Sequence, residues 1–186
     1  MVEMIKITSN GIMPVREPLK LVKSTDPILR DFIPEFDFKK YNAIDIANQL
    51  IEVLQSYADR AFAVAAPQCG LKHRVFVMGL DNEIVAFFNP QILEQSQTYV
   101  TMEEGCLSFP YLFLKIERPD AVVVKWQDYM GKEHVAKFDG MTARVFQHEF
   151  SHLNGICFTE HVGPTTLMIA KQKAAKYQKK DARLKK

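Results

Sequence analysis

Residues 148–152 read His-Glu-Phe-Ser-His, and this stretch decides how the rest of the chain is interpreted. Two histidines four positions apart lie on one face of an α-helix, so that both imidazoles can reach a single metal ion. Glu149 lies between them and points at an adjacent angle, close enough to handle the protons of a metal-bound water. A catalytic metal site usually has three protein ligands and one open position, so a third ligand is needed.

The sequence that follows the second histidine offers poor candidates for the third ligand. Up to Gly155 it matches the extended zinc-protease pattern, which needs another histidine three positions later, and this chain has Phe158 there. Glu160 and His161 lie beyond Gly155, which we expect to end the helix. Upstream, Cys106 lies beside a glycine and close to a serine, a setting that suggests a short exposed turn more than a core strand.

Three sequence blocks together resemble the peptide deformylase family. They are residues 65–68 (Ala-Ala-Pro-Gln), residues 104–108 (Glu-Gly-Cys-Leu-Ser) and residues 147–152 (Gln-His-Glu-Phe-Ser-His). The blocks occur in the family's order and span most of the chain. The resemblance implies three metal ligands, one from the second block and two from the third: Cys106, His148 and His152.

The same resemblance implies a reaction. The chain is expected to be a metal-dependent hydrolase that removes the N-formyl group from the N-terminal formylmethionine of newly made polypeptides and releases formate. Hydroxide on the metal attacks the formyl carbon, with Glu149 as general base and then general acid. The backbone N–H of Leu107 and the side-chain amide of Gln68 are the expected donors to the developing oxyanion.

The resemblance implies one Fe²⁺ ion per chain, with Zn²⁺, Ni²⁺ or Co²⁺ as possible substitutes. A thiolate with two imidazoles suits all four ions, so the ligand types do not choose among them.

Two other functions remain open. An HExxH zinc endopeptidase is disfavoured by Phe158 and by the lack of a downstream ligand. The other is a relative that binds metal but has weakened catalysis. It stays open because Ala61 and Ala63 stand where the family has glycines, and the added methyl groups would narrow the peptide cleft.

The chain also departs from the family at two other positions. Ser151, where the family often has Asp, predicts altered contacts behind the ligands rather than lost ligation. Phe113, where bacterial members often carry Arg, predicts an apolar lip that favours hydrophobic substrate residues.

Several side chains of metal-binding type are expected to be structural. We interpret Cys69 and Cys157 as small buried residues, and a second set as surface or hydrogen-bonded structural groups: His73, His134 and His161. Glu104 is predicted to pair with Arg118 and so to fix the turn that carries the cysteine of the second block.

Length and composition indicate one folded domain with a terminal extension. With the resemblance, these are a deformylase-like catalytic domain, residues 1–165, and a basic C-terminal helix or tail, residues 166–186. The chain has 186 residues, is 47% hydrophobic and has a net charge of +2, which argues against a polyanion partner for the whole domain. Residues 171–186 nevertheless hold eight Lys or Arg against one Asp. This tail is a candidate for contact with the ribosome, because Lys and Arg neutralise RNA phosphates.

Three cysteines without disulfide spacing fit a reducing compartment. No stretch of eighteen apolar residues occurs, and Met1 to Ser9 lack the pattern of a signal or transit peptide. We therefore expect a cytoplasmic protein without a membrane partner. The family resemblance implies N-formylmethionyl nascent peptides as its substrates.

Helical and strand periodicities do not alternate regularly, which favours an α+β fold. The resemblance adds antiparallel or mixed sheets packed around a central metal-binding helix, and a C-terminal helix. Residues 5–38 are expected to form an irregular arm. The predicted helices cover 41–60, 142–153 and the chain from Pro164 onward; the predicted strands cover 73–79, 84–88, 98–103, 121–127 and 134–139, with a hairpin turn at 128–131.

Overall fold

The structure is a computed structural model that describes residues 17–57 and 59–184. The predictions for residues 1–16, for Ala58 and for the last two lysines lie outside the described residues. The helices are α1 (Ala43–Ser56), α2 (Gly140–Leu153) and α3 (Pro164–Leu184). The strands are β1 (Ala63–Ala65), β2 (Val75–Leu80), β3 (Glu83–Gln95), β4 (Tyr99–Cys106), β5 (Phe109–Pro119), β6 (Ala121–Gln127) and β7 (Glu133–Asp139). Short 3-10 helices cover Pro27–Arg30, Ala66–Cys69 and Phe158–His161.

Two antiparallel sheets carry the fold, and they confirm the predicted α+β class. A five-stranded sheet has the order β1-β2-β3-β6-β7, and β4 and β5 form a separate two-stranded hairpin. The sequence prediction did not include β5. Its buried positions alternate with exposed ones, as in a strand that covers a core with one face: Leu112, Leu114, Ile116 and Arg118.

Helix α1 covers one face of the five-stranded sheet. It begins after Asn42, whose side-chain oxygen accepts the backbone N–H of Asp45 at 3.1 Å. Leu50 and Leu54 are buried against the sheet. Ile44 is 41% exposed, because the stripe that meets the sheet is set by Ala43, Ala47, Leu50, Val53 and Leu54.

Helix α2 lies between the five-stranded sheet and the β4–β5 hairpin. Phe146 packs on the sheet, with its ring centroid 5.2 Å from that of Phe76 in an edge-to-face arrangement. The opposite, polar face of α2 is turned toward the hairpin, where it contacts Glu104 and Arg118. The predicted central helix is therefore confirmed, and the metal-binding pattern lies inside the molecule.

The C-terminal end of α2 is held by a buried guanidinium. Arg74 donates to the carbonyl oxygens of Leu153 at 3.0 Å and Ile33 at 3.2 Å, and to Asn154 Oδ1 at 3.0 Å. A cation at this position satisfies carbonyls that have no partner within the helix and opposes the negative end of the helix dipole. Gly155 then ends the helix as predicted, with a φ of +71°.

Helix α3 packs on the hairpin through one side only. Leu167, Ala170 and Ala174 contact the apolar cluster of β5, and the Tyr111 hydroxyl donates to Asp181 Oδ2 at 2.5 Å. The domain boundary expected at residue 165 falls in the first turn of this helix. None of the helices in the described ranges is both long and apolar enough to cross a membrane.

Candidate metal centre

The three predicted ligands lie together. The ligand atoms of Cys106, His148 and His152 are all within 4.8 Å of one another, and Cys106 Sγ is 3.3 Å from His152 Nε2. Metal bonds of roughly 2.0–2.3 Å at tetrahedral angles require ligand atoms to be about 3.3–3.8 Å apart. The contact between Cys106 and His152 meets this spacing, and the three ligand atoms together form a group of the size that can hold one metal ion.

The cysteine reaches α2 because it ends strand β4. Cys106 pairs with Phe109 across the hairpin, so the intervening two residues form the turn, while Gly105 pairs with Phe113. The residues of β5 between those two partners bulge out of the ladder. A Cβ atom on Gly105 would lie 2.8 Å from Phe113 Cε1, so only glycine fits beside the ring without a shift. The predicted turn thus begins directly after the thiol.

A buried carboxylate orients the first histidine. Glu104 Oε2 accepts a hydrogen bond from His148 Nδ1 at 2.9 Å, which leaves Nε2 for the metal. Arg118 donates to both oxygens of Glu104, from Nε at 2.7 Å and from Nη2 at 3.0 Å, which confirms the predicted pair. Arg144 Nη1 adds a bond of 2.9 Å to Oε1. Burial alone would raise the pKa of Glu104, but the hydrogen bonds and charges of His148 and Arg118 hold it well below its usual range.

The two histidines have opposite electrostatic environments. Burial tends to lower the pKa of His148, but contacts with Cys106 and Glu104 raise it to about 10. Metal binding at this ring must release that proton, so it depends on pH. Burial lowers the pKa of His152 far below its ordinary value, so this ring is neutral, as a metal ligand must be.

Glu149 is a buried carboxylate with a free oxygen beside the ligand cluster. Its Oε2 atom has no hydrogen-bond partner among the described side chains and backbone. Burial raises the pKa of Glu149 to about 7. A carboxyl group whose pKa is close to neutrality can both take and return a proton at physiological pH.

The side-chain amide of Gln68 points at the thiol. Its Oε1 atom accepts the backbone N–H of Ala65 at 2.8 Å, which fixes the orientation of the amide. Its Nε2 atom donates to Cys106 Sγ and to Ser108 Oγ, both at 3.3 Å. Leu107 is the first residue of the turn after the thiol.

Ser151 lies behind the ligands, as predicted. Its hydroxyl donates to the carbonyl of Gln147 at 2.7 Å and accepts from Arg118 Nη1 at 3.1 Å. Of the polar groups around the centre, the sequence reasoning missed Arg144. No local pattern identifies it, because its partner Glu104 is forty residues away in the chain.

The downstream residues do not join the ligand cluster. Phe158 packs against the His148 ring at a centroid distance of 5.7 Å, and Glu160 accepts the backbone N–H of Cys157 at 2.9 Å. Over the described ranges, the metal-ligating group contains only the cysteine and the two α2 histidines. The third ligand that an endopeptidase of this pattern needs downstream is therefore not at the centre.

The remaining cysteines and two of the other histidines have structural positions, as predicted. Burial raises the pKa of the Cys69 thiol to about 12 and that of Cys157 to about 11, and both thiols are free. The His73 ring contacts the rings of Phe36 and Tyr41, and His134 Nε2 lies 2.7 Å from Asp128 Oδ2.

Known proteins match most of this chain. The sequence profile of the family described as polypeptide deformylase matches residues 18–167. A peptide deformylase of Thermotoga maritima is 38% identical over 151 residues, which are 80% of this chain and 89% of the relative. The chloroplastic peptide deformylase 1B of rice is 33% identical over 168 residues, 88% of this chain and 62% of the relative.

Solved structures share the fold. The crystal structure of the Thermotoga maritima peptide deformylase superposes with a TM-score of 0.74 and covers 80% of this chain and 100% of its own. A peptide deformylase from Legionella pneumophila gives a TM-score of 0.79 at 28% identity, covering 90% of this chain and 99% of its own.

Proposed function

Since this chain belongs to the peptide deformylase family, we propose that its metal centre removes the N-formyl group from the formylmethionine of newly made polypeptides and releases formate. The observation that carries the proposal is the convergence of Cys106, His148 and His152 within 4.8 Å. The two ligands on α2 and the one on β4 come from parts of the sequence about forty residues apart, so chance clustering is a poor explanation.

We propose Fe²⁺ as the physiological ion, with Zn²⁺, Ni²⁺ or Co²⁺ as substitutes in the same place. Cys106, His148 and His152 would hold it, and their thiolate and imidazole donors suit each of these ions. When bound, the ion supplies Lewis acidity and lowers the pKa of water toward neutrality.

The proton chemistry belongs to Glu149. Its unpartnered Oε2 and its pKa of about 7 fit a group that accepts the proton of the attacking water. The same carboxylic acid then delivers that proton to the amine as the C–N bond of the formyl group breaks. The products are formate and a free peptide amine.

The oxyanion is stabilised by two neutral donors. Negative charge develops on the formyl oxygen as the carbonyl carbon becomes tetrahedral, and donors that are already oriented meet it at no further cost. Gln68 Nε2 is held in place through Ala65 and directed at the thiol. The backbone N–H of Leu107 follows the thiol by one residue. A neutral amide suits this role because it adds no charge that competes for hydroxide.

Replacing Gln68 by alanine should therefore lower kcat by about 10²–10³, with little change in KM or in bound metal. Formate release and metal content per chain measure the two quantities. Ser108→Ala is the matched control, because it removes the other partner of the Gln68 amide while the donor itself remains. A Gln68→Ala enzyme with a rate within threefold of the unaltered protein contradicts the oxyanion role.

The lip of the cleft predicts a substrate preference. Phe113 is 58% exposed and lies against Gly105, one residue before the thiol. Formyl-Met-Leu peptides should be hydrolysed with a kcat/KM about tenfold higher than formyl-Met-Asp peptides, because a few methylene groups gain apolar contact. The Phe113→Arg variant should reverse that order. Equal turnover of the two peptides by the unaltered enzyme would contradict the predicted preference for hydrophobic substrate residues.

The decisive experiment is formate release from formyl-Met-Ala under anaerobic conditions, with Fe²⁺ supplied. A deformylase releases one formate for each free methionine amine. An endopeptidase cuts internal bonds of longer peptides and leaves the formyl group, and a weakened relative releases nothing.

A second experiment tests the two alanines that replace family glycines. Ala63 is buried in β1, and changing residues 61 and 63 to Gly tests whether the added methyl groups restrict the peptide cleft.

We also propose that the enzyme works in the cytoplasm and meets nascent chains at the ribosome, through the basic face of α3. Residues 171–184 of this helix are almost all exposed, and their lysines are suited to RNA phosphates. Cosedimentation with ribosomes should fall with rising salt and should be lost on deleting residues 171–186. An unchanged signal after the deletion excludes this contact.

A further inference from the structure

A large apolar groove lies between α3 and the β4–β5 hairpin, outside the metal centre. It encloses about 750 Å³, within the usual size range of ligand-binding clefts. Four large hydrophobic side chains line it, and all are exposed: Phe113, Ile169, Tyr177 and Leu184. Exposed apolar side chains that are scattered need no explanation, but a contiguous group of this kind marks a binding surface. We call this feature the hairpin groove.

The hairpin groove follows the free backbone edge of β5. Three consecutive residues of that strand, 113–115, line the groove. Successive strand side chains point to opposite faces, so a groove that meets all three reaches the outer edge of β5, and Glu103, the partner of Lys115, extends its lining onto β4. Within the described ranges β5 pairs only with β4. An unpaired strand edge offers backbone donors and acceptors to an extended peptide.

The hairpin groove begins next to the catalytic centre. The Phe113 ring lies over Gly105, which precedes the ligand Cys106, and the same ring lines the groove. A chain that leaves the centre past Phe113 therefore reaches the groove, whose two walls are joined by the hydrogen bond from Tyr111 to Asp181. This continuity identifies the occupant as part of the substrate rather than as an unrelated molecule.

We propose that the hairpin groove binds a downstream, extended and mainly apolar segment of the formylated polypeptide. The inference rests on the proposed deformylase function and assigns a second recognition site to it. Three lysines line the groove, Lys115, Lys173 and Lys180, and two acids, Glu103 and Asp181, so the lining has a small positive excess that favours acidic over basic ends of the segment only slightly. The groove follows α3 from Thr166 to Leu184, and that length of helix, ~27 Å, corresponds to about eight residues of extended peptide.

The test compares a short and a long substrate. The short one is formyl-Met-Ala, and the long one adds ten residues, Val and Ile-rich with a terminal Glu. For the unaltered enzyme we expect a KM about tenfold lower for the long peptide, with the same kcat. The reason is that contacts far from the reacting bond stabilise the bound substrate and the transition state equally. A peptide of equal length made of Gly and Ser should behave like the short one.

A pair of neighbouring variants locates the effect. Ile169 lines the groove and is 59% exposed, whereas Met168 is 54% exposed and lies outside it. Ile169→Glu should raise the KM of the long peptide about tenfold and leave hydrolysis of the short peptide unchanged. Met168→Glu should change neither. Leu184→Glu, at the far end of the groove, should repeat the Ile169→Glu result.

Each other outcome overturns the inference. If the short and long peptides have the same KM, or if Met168→Glu acts like Ile169→Glu, the groove does not bind substrate, although hydrolysis of formyl-Met-Ala still supports the deformylase function. If formyl-Met-Ala itself is not hydrolysed, the proposed function fails instead. If sedimentation shows a dimer that Ile169→Glu dissociates and Met168→Glu does not, a second copy of the chain covers the groove.

Discussion

The Glu149→Gln variant will retain its metal and lose formate release, with kcat lower by about 10²–10⁴. The reason is the environment of the carboxyl group: it is buried, its Oε2 atom has no partner in the described part of the chain, and its pKa is about 7. Glutamine has the same shape but cannot accept a proton. The ligand positions do not depend on Glu149, so metal binding is preserved.

The measurement for this variant pairs kcat for formyl-Met-Ala with metal content per chain. Glu160→Gln is the control, because Glu160 is another carboxylate downstream of α2 that caps a backbone N–H and lies outside the ligand cluster. A Glu149→Gln enzyme that hydrolyses formyl-Met-Ala at close to the unaltered rate rules out the assigned proton transfer. A loss of metal together with the loss of rate would instead show that Glu149 helps to build the site.

Replacing Glu104 by glutamine should have the largest effect on stability. This carboxylate is the shared partner of Arg118, Arg144 and His148. Removing its charge leaves two buried guanidinium groups without a counter-charge, and breaking a buried ion pair in this way costs ~3–5 kcal/mol of the free energy of unfolding. Metal affinity should fall about 10–100-fold as well, since the carboxylate orients a ligand.

Denaturant unfolding and chelator competition measure the two losses. Glu117→Gln is the control, because this exposed acid lies beside Arg118 in β5 but on the opposite face. The pKa of Glu104 in the folded protein lies below its ordinary value. Its stabilisation is therefore complete at neutral pH and disappears as the pH falls from the ordinary carboxyl range through the lower folded value. The variant should lack that part of the acid sensitivity, and a Glu104→Gln protein as stable as the control contradicts the role.

Local patterns in the sequence predicted the metal helix well. The spacing of His148 and His152 and the glycine that ends the helix are short-range features, and the structure places them as expected. The position of the cysteine beside them was not visible in its own segment. It followed from the family resemblance, because the contact between the end of β4 and α2 depends on the whole fold.

The missed elements have physical reasons. Strand β5 was not predicted because a charged residue, Arg118, occupies one of its buried positions. In addition, Tyr111 has a φ of +65°, which interrupts the regular strand backbone. Arg74 and Arg144 were missed because their partners lie far along the chain, 79 residues away for the bond from Arg74 to Leu153. Buried cations of this kind look like surface residues until the fold supplies their acceptors.

The Arg74 contacts at the end of α2 bear on how the protein acquires its ion. Arg74 connects the end of α2, just after His152, to the segment at Ile33 by hydrogen bonds. Glu104 holds His148 against the hairpin by another hydrogen bond. Both sets of contacts consist of protein atoms alone, so they hold the two histidines in position whichever ion is bound. Exchange of one divalent ion for another therefore requires no change in either set of contacts.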